Sequence, residues 1–170
     1  IDGSFNVPIR TLGQNLALLP DKDAEIVVIC KGGARAMLAT AALQFVGYTN
    51  VATLKGGMGG WDGEGFATTT EPTIVEATEA PAFDEELVAA MDAVISTLPD
   101  GFGLVRADAL NTELIENPDI VLIDTRSPEE WEQGYIAGTD FIWINEFMAN
   151  VDNLPEDKDA TVVVYCGSSY

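Results

Sequence analysis

The two cysteines are the only thiols of the chain, and each follows a short apolar run. Cys30 comes after the run at 26–29, and Cys166 comes after a similar run at 162–165. The sequence contains no histidine, which excludes a histidine general base and histidine-ligated metal sites. Two thiols are also too few for an all-cysteine zinc site. The residue types therefore argue against these sites, and we expect no metal and no other cofactor.

Cys30 begins a glycine-rich loop that carries two cations. The loop residues are Lys31, Gly32, Gly33, Ala34 and Arg35. Ligands bind at the carboxyl ends of parallel strands, and the backbone amides at a helix start favour an anion. We expect these amides and the two cations to lower the pKa of Cys30 and to give a thiolate at neutral pH. Cys30 is therefore the candidate catalytic residue, and 31–35 is the candidate binding loop. The alternative is a buried cysteine before an ordinary tight turn.

A segment that ends in a cysteine occurs twice in the chain. Residues 19–30 return as 154–166 with one additional residue, Glu156, so that the two cysteines lie 136 positions apart. Upstream, residues 1–4 resemble residues 136–139 at a separation of 135. Because the chain has 170 residues, we expect it to hold the later part of one copy, a connector, and the earlier part of the next copy.

Strand-like and helix-like segments alternate along the chain, which predicts an α/β fold with parallel sheets flanked by helices. The predicted strands are 26–29, 51–54, 120–123 and 161–165, and the predicted helices are 34–46, 84–98 and 107–116, with a further helix start at 127–130. Residues 67–82 are rich in Thr, Glu and Pro and are typical of a linker. We predict a first partial copy at 1–68, a linker with a helix at 69–103, and a second partial copy at 104–170.

Five motifs together resemble the rhodanese sulfurtransferase family. The Cys30 loop is similar to the family's active-site loop C-x-x-G-x-R. Residues 54–61 resemble L-x-G-G-x-x-x-W, and residues 121–131 resemble a start with D-x-R-x-x-x-E followed by an aromatic residue. Residues 134–138 resemble G-H-I-x-G with Tyr135 in place of the histidine, and residues 3–8 resemble G-x-x-N-[IV]-P. The resemblance covers 1–68 and 104–170. The motifs follow the order of the family if 1–68 is the later part of one domain and 104–170 is the earlier part of the next.

This resemblance implies a tandem protein that moves sulfane sulfur from a donor such as thiosulfate to a thiophilic acceptor. Cys30 would be the nucleophile and would carry the sulfur as a persulfide, cradled by the amides of 31–35. Asp124 and Arg126 match a structural pair of the family, and Trp61 matches a structural tryptophan. A second candidate site consists of Cys166, Gly167, Ser168 and Ser169. We rank it below Cys30 because its visible loop contains no cation.

Two other functions remain open at this point. A cysteine-dependent phosphatase or arsenate reductase would use a Cys-x5-Arg loop that fits a tetrahedral oxyanion, whereas Arg35 follows Cys30 in a shorter Cys-x4-Arg pattern. The shorter loop favours a single sulfur atom. The third function is a non-catalytic rhodanese-like binding module, since a fold does not fix an activity.

Charge limits the partners of the chain. It has 28 acidic and 8 basic residues, a net charge of −20, which argues against nucleic acid and anionic membranes. We expect a small anionic sulfur donor and a thiol or cyanide acceptor. No targeting segment identifies the compartment, so the cytoplasm and the cell envelope both remain open. We also expect 104–135 to supply the missing early half of 1–68, within one chain or in a segment-exchanged homo-oligomer; the alternative is that the chain is part of a longer protein.

Overall fold

The computed structural model of the chain describes residues 1–77 and 81–167. It divides into two units, residues 1–103 and 104–167. Each unit contains a parallel sheet with helices beside it, which confirms the predicted α/β class. None of the helices in the described ranges is long and apolar enough to cross a membrane.

The sheet of the first unit consists of two parallel strands joined by a helix. Strand β1 (Ile26–Val28) pairs with β2 (Val51–Thr53), and α1 (Ala34–Phe45) connects them. Each strand ends one residue earlier than predicted. The helix ends at Phe45, one residue before the predicted end, and Gly47 adopts a positive φ of 102° that is typical of a residue just after a helix.

The helix predicted within the linker is part of the core of the first unit. Helix α3 (Glu85–Ile95) is capped by Asp84, whose side chain accepts hydrogen bonds from the backbone amides of Glu86 and Leu87. The buried residues that it shares with α1 and with the 3-10 turns near the amino terminus are Leu12, Leu16, Leu19, Ala39, Ala42, Leu43, Val46, Tyr48, Met91 and Ile95. The predicted connector at 69–103 therefore contains an element of the first unit.

The second unit has a three-stranded parallel sheet with β3 in the centre. Strand β3 (Val121–Asp124) pairs with β4 (Thr139–Phe141) on one side and with β5 (Val162–Tyr165) on the other. Helix α4 (Ala107–Glu116) packs on the sheet, where its buried Leu110 forms a cluster with Ile120 and Leu122. The short helix α5 (Pro128–Trp131) confirms the helix start predicted at 127–130, and Ser127 and Glu130 form a capping box there.

The internal repeat is visible in the backbone as well as in the sequence. Each copy has a 3-10 segment before its Leu-Pro pair, and each segment is kinked at an asparagine, Asn15 or Asn150. The side-chain amide of Asn15 donates to the Thr11 carbonyl at 2.7 Å, and that of Asn150 donates to the Glu146 carbonyl at 2.9 Å. Both pairs lie 135 positions apart, so the repeated segments share this backbone feature as well as their sequence.

Candidate functional site

The Cys30 thiol lies at the junction between β1 and α1. Its Sγ accepts a hydrogen bond from the Gly33 backbone amide at 3.1 Å. Gly33 precedes the first residue of α1 and has a φ of 102°, a conformation that side chains other than hydrogen rarely allow. The glycine thus lets the loop fold back and aim its amide at the sulfur.

Backbone hydrogen bonds at the start of α1 lower the pKa of Cys30. Partial burial by itself would raise the pKa of the thiol, but hydrogen bonding to the backbone of Ala36, Gly32, Gly33 and Arg35 outweighs it and lowers the pKa. We expected the charges of the two loop cations to share in this effect. The structure assigns the lowering to fixed amide dipoles at the start of α1, which favour an anion there.

The lowered pKa predicts how the alkylation rate of Cys30 depends on pH. In a Cys166→Ser variant, the rate of alkylation by iodoacetamide should rise along a titration curve with its midpoint below 9.0, the ordinary value for the thiol. The same variant unfolded in urea lacks the loop amides and should show a higher midpoint. Equal midpoints in the folded and unfolded chain would contradict the prediction.

The glycine run after β2 holds the Cys30 loop in place. Helix α2 (Gly57–Gly63) directs its first amides at this loop: the Met58 amide donates to the Cys30 carbonyl at 2.8 Å, and the Gly59 amide donates to the Lys31 carbonyl at 3.0 Å. Gly57 packs directly against the same backbone, so that a Cβ at this position would lie 2.9 Å from the Gly32 nitrogen. The run is therefore a backbone support for the loop.

Cys30 opens into a cavity of about 410 Å³. One wall is apolar and comes from Val7, Pro8, Ile9 and Met58, while Lys31 and Arg35 also line the cavity. The cavity therefore combines a thiol, two cations and an apolar wall. Such a site suits a small anion that carries a transferable soft atom.

A ring from the end of the first unit holds the Arg35 side chain. The Arg35 guanidinium carbon lies 5.4 Å from the centre of the Phe102 ring, and that of Arg10 lies 5.0 Å from it. Arg10 also donates to the Leu98 carbonyl at 2.9 Å. Phe102 has a φ of 60°, which is rare for a residue other than glycine. Sequence analysis missed Phe102, because only its positive φ and its neighbours in space distinguish it.

Trp61 lies in α2 and fixes the end of the glycine run. Its indole N–H donates to the Ala67 carbonyl at 3.0 Å, and its ring centre lies 5.0 Å from that of Phe66. Trp61 therefore packs beside the Cys30 support and does not line the cavity.

Asp124 and Arg126 lie in contact in the second unit. The Asp124 side chain is fully buried, and its carboxylate accepts from the Arg126 guanidinium at 2.6 Å and from the Arg126 amide at 2.9 Å. Arg126 also donates to the Gly134 carbonyl at 2.7 Å. This pair ties the end of β3 to the turn after α5.

The second candidate site has two charged neighbours that the sequence did not place there. Cys166 is exposed, and Gly167 lies beside the Glu130 carboxylate and the Arg126 side chain. Arg126 therefore brings a cation near this loop, although its guanidinium is held by Asp124. The other two candidates, Ser168 and Ser169, lie outside the described residues. Within 1–77 and 81–167, no cluster of Cys, Asp and Glu could hold a metal ion.

Comparison with known proteins matches the chain to one domain family. The Rhodanese-like domain matches twice, over residues 1–64 and over residues 107–170. The tRNA uridine(34) hydroxylase of Buchnera aphidicola is 36% identical over 62 residues, which cover 34% of this chain and 20% of that protein. The chain therefore spans about a fifth of the length of this curated relative.

Two solved structures are also similar to the chain. The thiosulfate sulfurtransferase from Pseudomonas aeruginosa is 26% identical with a TM-score of 0.37, over 97% of this chain and 32% of that chain. A 3-mercaptopyruvate sulfotransferase from Escherichia coli is 17% identical with a TM-score of 0.45, over 99% of this chain and 73% of that one. The double family match covers well over half of the sequence, and on this ground the chain belongs to the rhodanese-like domain family.

Proposed function

We propose that the chain is a rhodanese-type sulfurtransferase that carries sulfane sulfur as a persulfide on Cys30. The observation that carries this proposal is the hydrogen bond from the Gly33 amide to the Cys30 Sγ at 3.1 Å, in a loop that lowers the pKa of the thiol. A thiolate held by backbone dipoles is a nucleophile that needs no histidine base.

The transfer takes place in two displacements. The Cys30 thiolate attacks the outer sulfur of thiosulfate, a new S–S bond forms, and sulfite leaves with the electron pair of the broken S–S bond. A thiolate or cyanide acceptor then attacks the outer sulfur of the persulfide. The Cys30–sulfur bond breaks, and its electron pair returns to Cys30 as the thiolate. No external oxidant or reductant is consumed.

The loop cations support an anionic donor. Lys31 and Arg35 line the cavity that contains Cys30, and opposite charge raises the local concentration of an anion. The amides of residues 31–35 would hold the outer persulfide sulfur, because each N–H of a helix start favours a negative atom. The shorter Cys-x4-Arg loop favours one sulfur atom over a phosphate.

The test is the intact mass of the protein after incubation with thiosulfate and removal of excess reagent. We expect the wild-type chain to gain the mass of one sulfur atom and to lose it again on treatment with cyanide. A Cys166→Ser variant should behave like the wild type, since the proposal assigns the sulfur to Cys30. A Cys30→Ser variant should gain nothing.

Three results would overturn this assignment. A sulfur gain that survives in Cys30→Ser and disappears in Cys166→Ser would move the activity to the second copy. No gain, with Cys30 still open to alkylation, would favour a binding module. Hydrolysis of an aryl phosphate that is lost in Cys30→Ser would identify a phosphatase.

A further inference from the structure

Arg35 differs from the other three arginines of the chain in how its guanidinium is used. Arg10, Arg106 and Arg126 each donate to a carboxylate or to a backbone carbonyl. Within residues 1–77 and 81–167, no such oxygen accepts a hydrogen bond from the Arg35 side chain. A guanidinium carries five N–H donors. Those of Arg35 can therefore bind a molecule in the Cys30 cavity, which Arg35 lines.

The contact that the Arg35 guanidinium does make is with the ring of Phe102. The distance from the guanidinium carbon to the ring centre is 5.4 Å. Phe102 is half-buried and is not among the residues that line the cavity. The negative face of an aromatic ring attracts a cation without accepting a conventional hydrogen bond. Phe102 therefore restrains the charge of Arg35 and leaves its N–H donors to a ligand.

The backbone that carries this ring has a strained conformation. Gly101, Phe102 and Gly103 have φ values of 79°, 60° and 72°. Glycine adopts such values readily, whereas they are rare for a bulky side chain. Strain of this kind persists only where the surrounding structure holds it, and it is concentrated at functional sites. The ring thus occupies a position that the backbone conformation would favour for glycine.

Arg10 holds the segment around Phe102 against the cavity wall. The Arg10 guanidinium donates to the Leu98 carbonyl at 2.9 Å and to the Pro99 carbonyl at 3.0 Å. The Phe102 amide donates to the same Pro99 carbonyl at 3.0 Å, and the Arg10 guanidinium carbon lies 5.0 Å from the ring centre. Because Arg10 directly follows Ile9, which lines the cavity, the ring is tied to the wall of the site that it serves.

We propose that Phe102 is a positioning residue, which holds Arg35 so that its N–H groups meet the oxyanion end of the sulfur donor. This inference rests on the proposed function of Cys30 and adds the feature that selects the donor. The planar guanidinium matches two oxygens of one anionic group. The site therefore prefers a donor whose transferable sulfur adjoins such a group, as in the sulfonate end of thiosulfate, over an uncharged donor.

The ring contributes by ordering a long side chain before the donor arrives. An arginine that is free in solvent loses rotamer freedom when it binds, and this loss weakens binding. A guanidinium that already lies against a ring has less freedom to lose. Without the ring, Arg35 keeps its charge but loses this restraint, and we expect anion binding to weaken about threefold to fivefold.

The first experiment measures the attraction of an anion to Cys30 without any sulfur transfer. It uses the Cys166→Ser chain, in which Cys30 is the only thiol. The rates of Cys30 alkylation by iodoacetate and by iodoacetamide are compared. The two reagents have similar sizes, but only iodoacetate carries a carboxylate. Their rate ratio therefore measures the attraction of an oxyanion, and a change in thiolate content cancels from it.

Four substitutions in this chain give the expected pattern. Phe102→Asn should lower the ratio about threefold to fivefold, and asparagine tolerates the positive φ better than most residues. Phe102→Tyr keeps the ring face and should keep the wild-type ratio. Arg35→Ala gives the ratio without the guanidinium. The matched control is Phe45→Asn, which removes an exposed ring at the other end of α1 and should leave the ratio unchanged.

The second experiment measures sulfur transfer from thiosulfate to cyanide by the same variants. Phe102→Asn should raise the KM for thiosulfate about threefold to fivefold with little change in kcat, because it weakens binding of the donor and leaves the thiolate in place. Phe102→Tyr should restore the wild-type KM. Urea unfolding of each variant shows whether the first unit is still folded.

The outcomes separate this inference from the proposed function. A wild-type ratio in Phe102→Asn would overturn the role of Phe102. An equal fall in Phe102→Tyr would also overturn it, because the ring face would then have no part in the effect. The expected ratios without a sulfur gain on Cys30 would refute the sulfur chemistry and keep Phe102 as the residue that positions Arg35 toward anions. A sulfur gain with the same KM in every Phe102 variant would do the reverse.

Discussion

A Gly57→Ala substitution should destabilise the Cys30 loop and slow Cys30 alkylation at neutral pH about tenfold. An added Cβ would overlap the Cys30 carbonyl oxygen and approach the Lys31 carbonyl carbon to 2.9 Å. Both are backbone atoms that cannot rotate away, and Gly57 has a φ of 55° that strains any side chain. We expect a loss of about 2–4 kcal/mol in the free energy of unfolding, as for other overpacked and strained sites.

Two measurements test this prediction, namely urea unfolding and the rate of iodoacetamide labelling of Cys30. The matched control is Gly63→Ala at the end of the same helix, where an added Cβ meets nothing within 4 Å. That variant should keep both the stability and the labelling rate of the wild type. Gly57→Ala with the stability of wild type and an unchanged rate would show that α2 does not position the loop.

An Asp124→Ala substitution should lower the free energy of unfolding of the second unit by about 3 kcal/mol or more. Asp124 is fully buried and is held by the Arg126 guanidinium and amide. Removing the carboxylate leaves a largely buried cation without its partner, which is more costly than the loss of an exposed pair. The matched control is Asp108→Ala, which removes the exposed pair with Arg106 and should change stability by about 0.5 kcal/mol or less.

Hydrogen–deuterium exchange of β3 measures this effect within the second unit, and it also reports the pH dependence. Burial alone would raise the pKa of Asp124, but hydrogen bonds from Arg126 outweigh it and lower the pKa. A carboxyl with a lowered pKa in the folded state stabilises the fold above its unfolded value, about 3.9. Wild-type protection should therefore fall as the pH drops below about 4, and Asp124→Ala should lack this component. An equal loss of protection below this pH in both proteins would contradict the prediction for Asp124.

Local patterns predicted most of the regular structure. The apolar runs before the cysteines became β1 and β5, and the Asp84 and Ser127 caps start helices where their side chains can accept amides. Helix α2 is not among the predicted helices, and its four glycines have low helix propensity. Its first amides bond to the Cys30 loop, and such a tertiary contact is not encoded in local periodicity.

The sequence indicated the loop from Cys30 to Arg35 as a candidate site, but it did not indicate the cause of the lowered thiol pKa. The Cys-x4-Arg loop pointed to Cys30 and Arg35, yet amides at the start of α1 lower the thiol pKa. Arg35 instead stacks on Phe102, which lies far along the sequence beyond a helix and a linker. A contact of that kind depends on how α3 and the residues after it pack within the first unit, and the spacing of residues in the sequence does not predict it.

The two amide bonds from α2 to the Cys30 loop have a consequence for the order of substrates. Since the Cys30 and Lys31 carbonyls are both anchored, the outer sulfur of the persulfide can move only by rotation about the Cα–Cβ and Cβ–Sγ bonds of Cys30. Under the proposed function, Cys30 is therefore too short to move the sulfur between two separate binding sites. Donor and acceptor must use the same opening in turn, and the spent donor has to depart before the acceptor arrives. Ping-pong kinetics would then be a property of the anchored backbone.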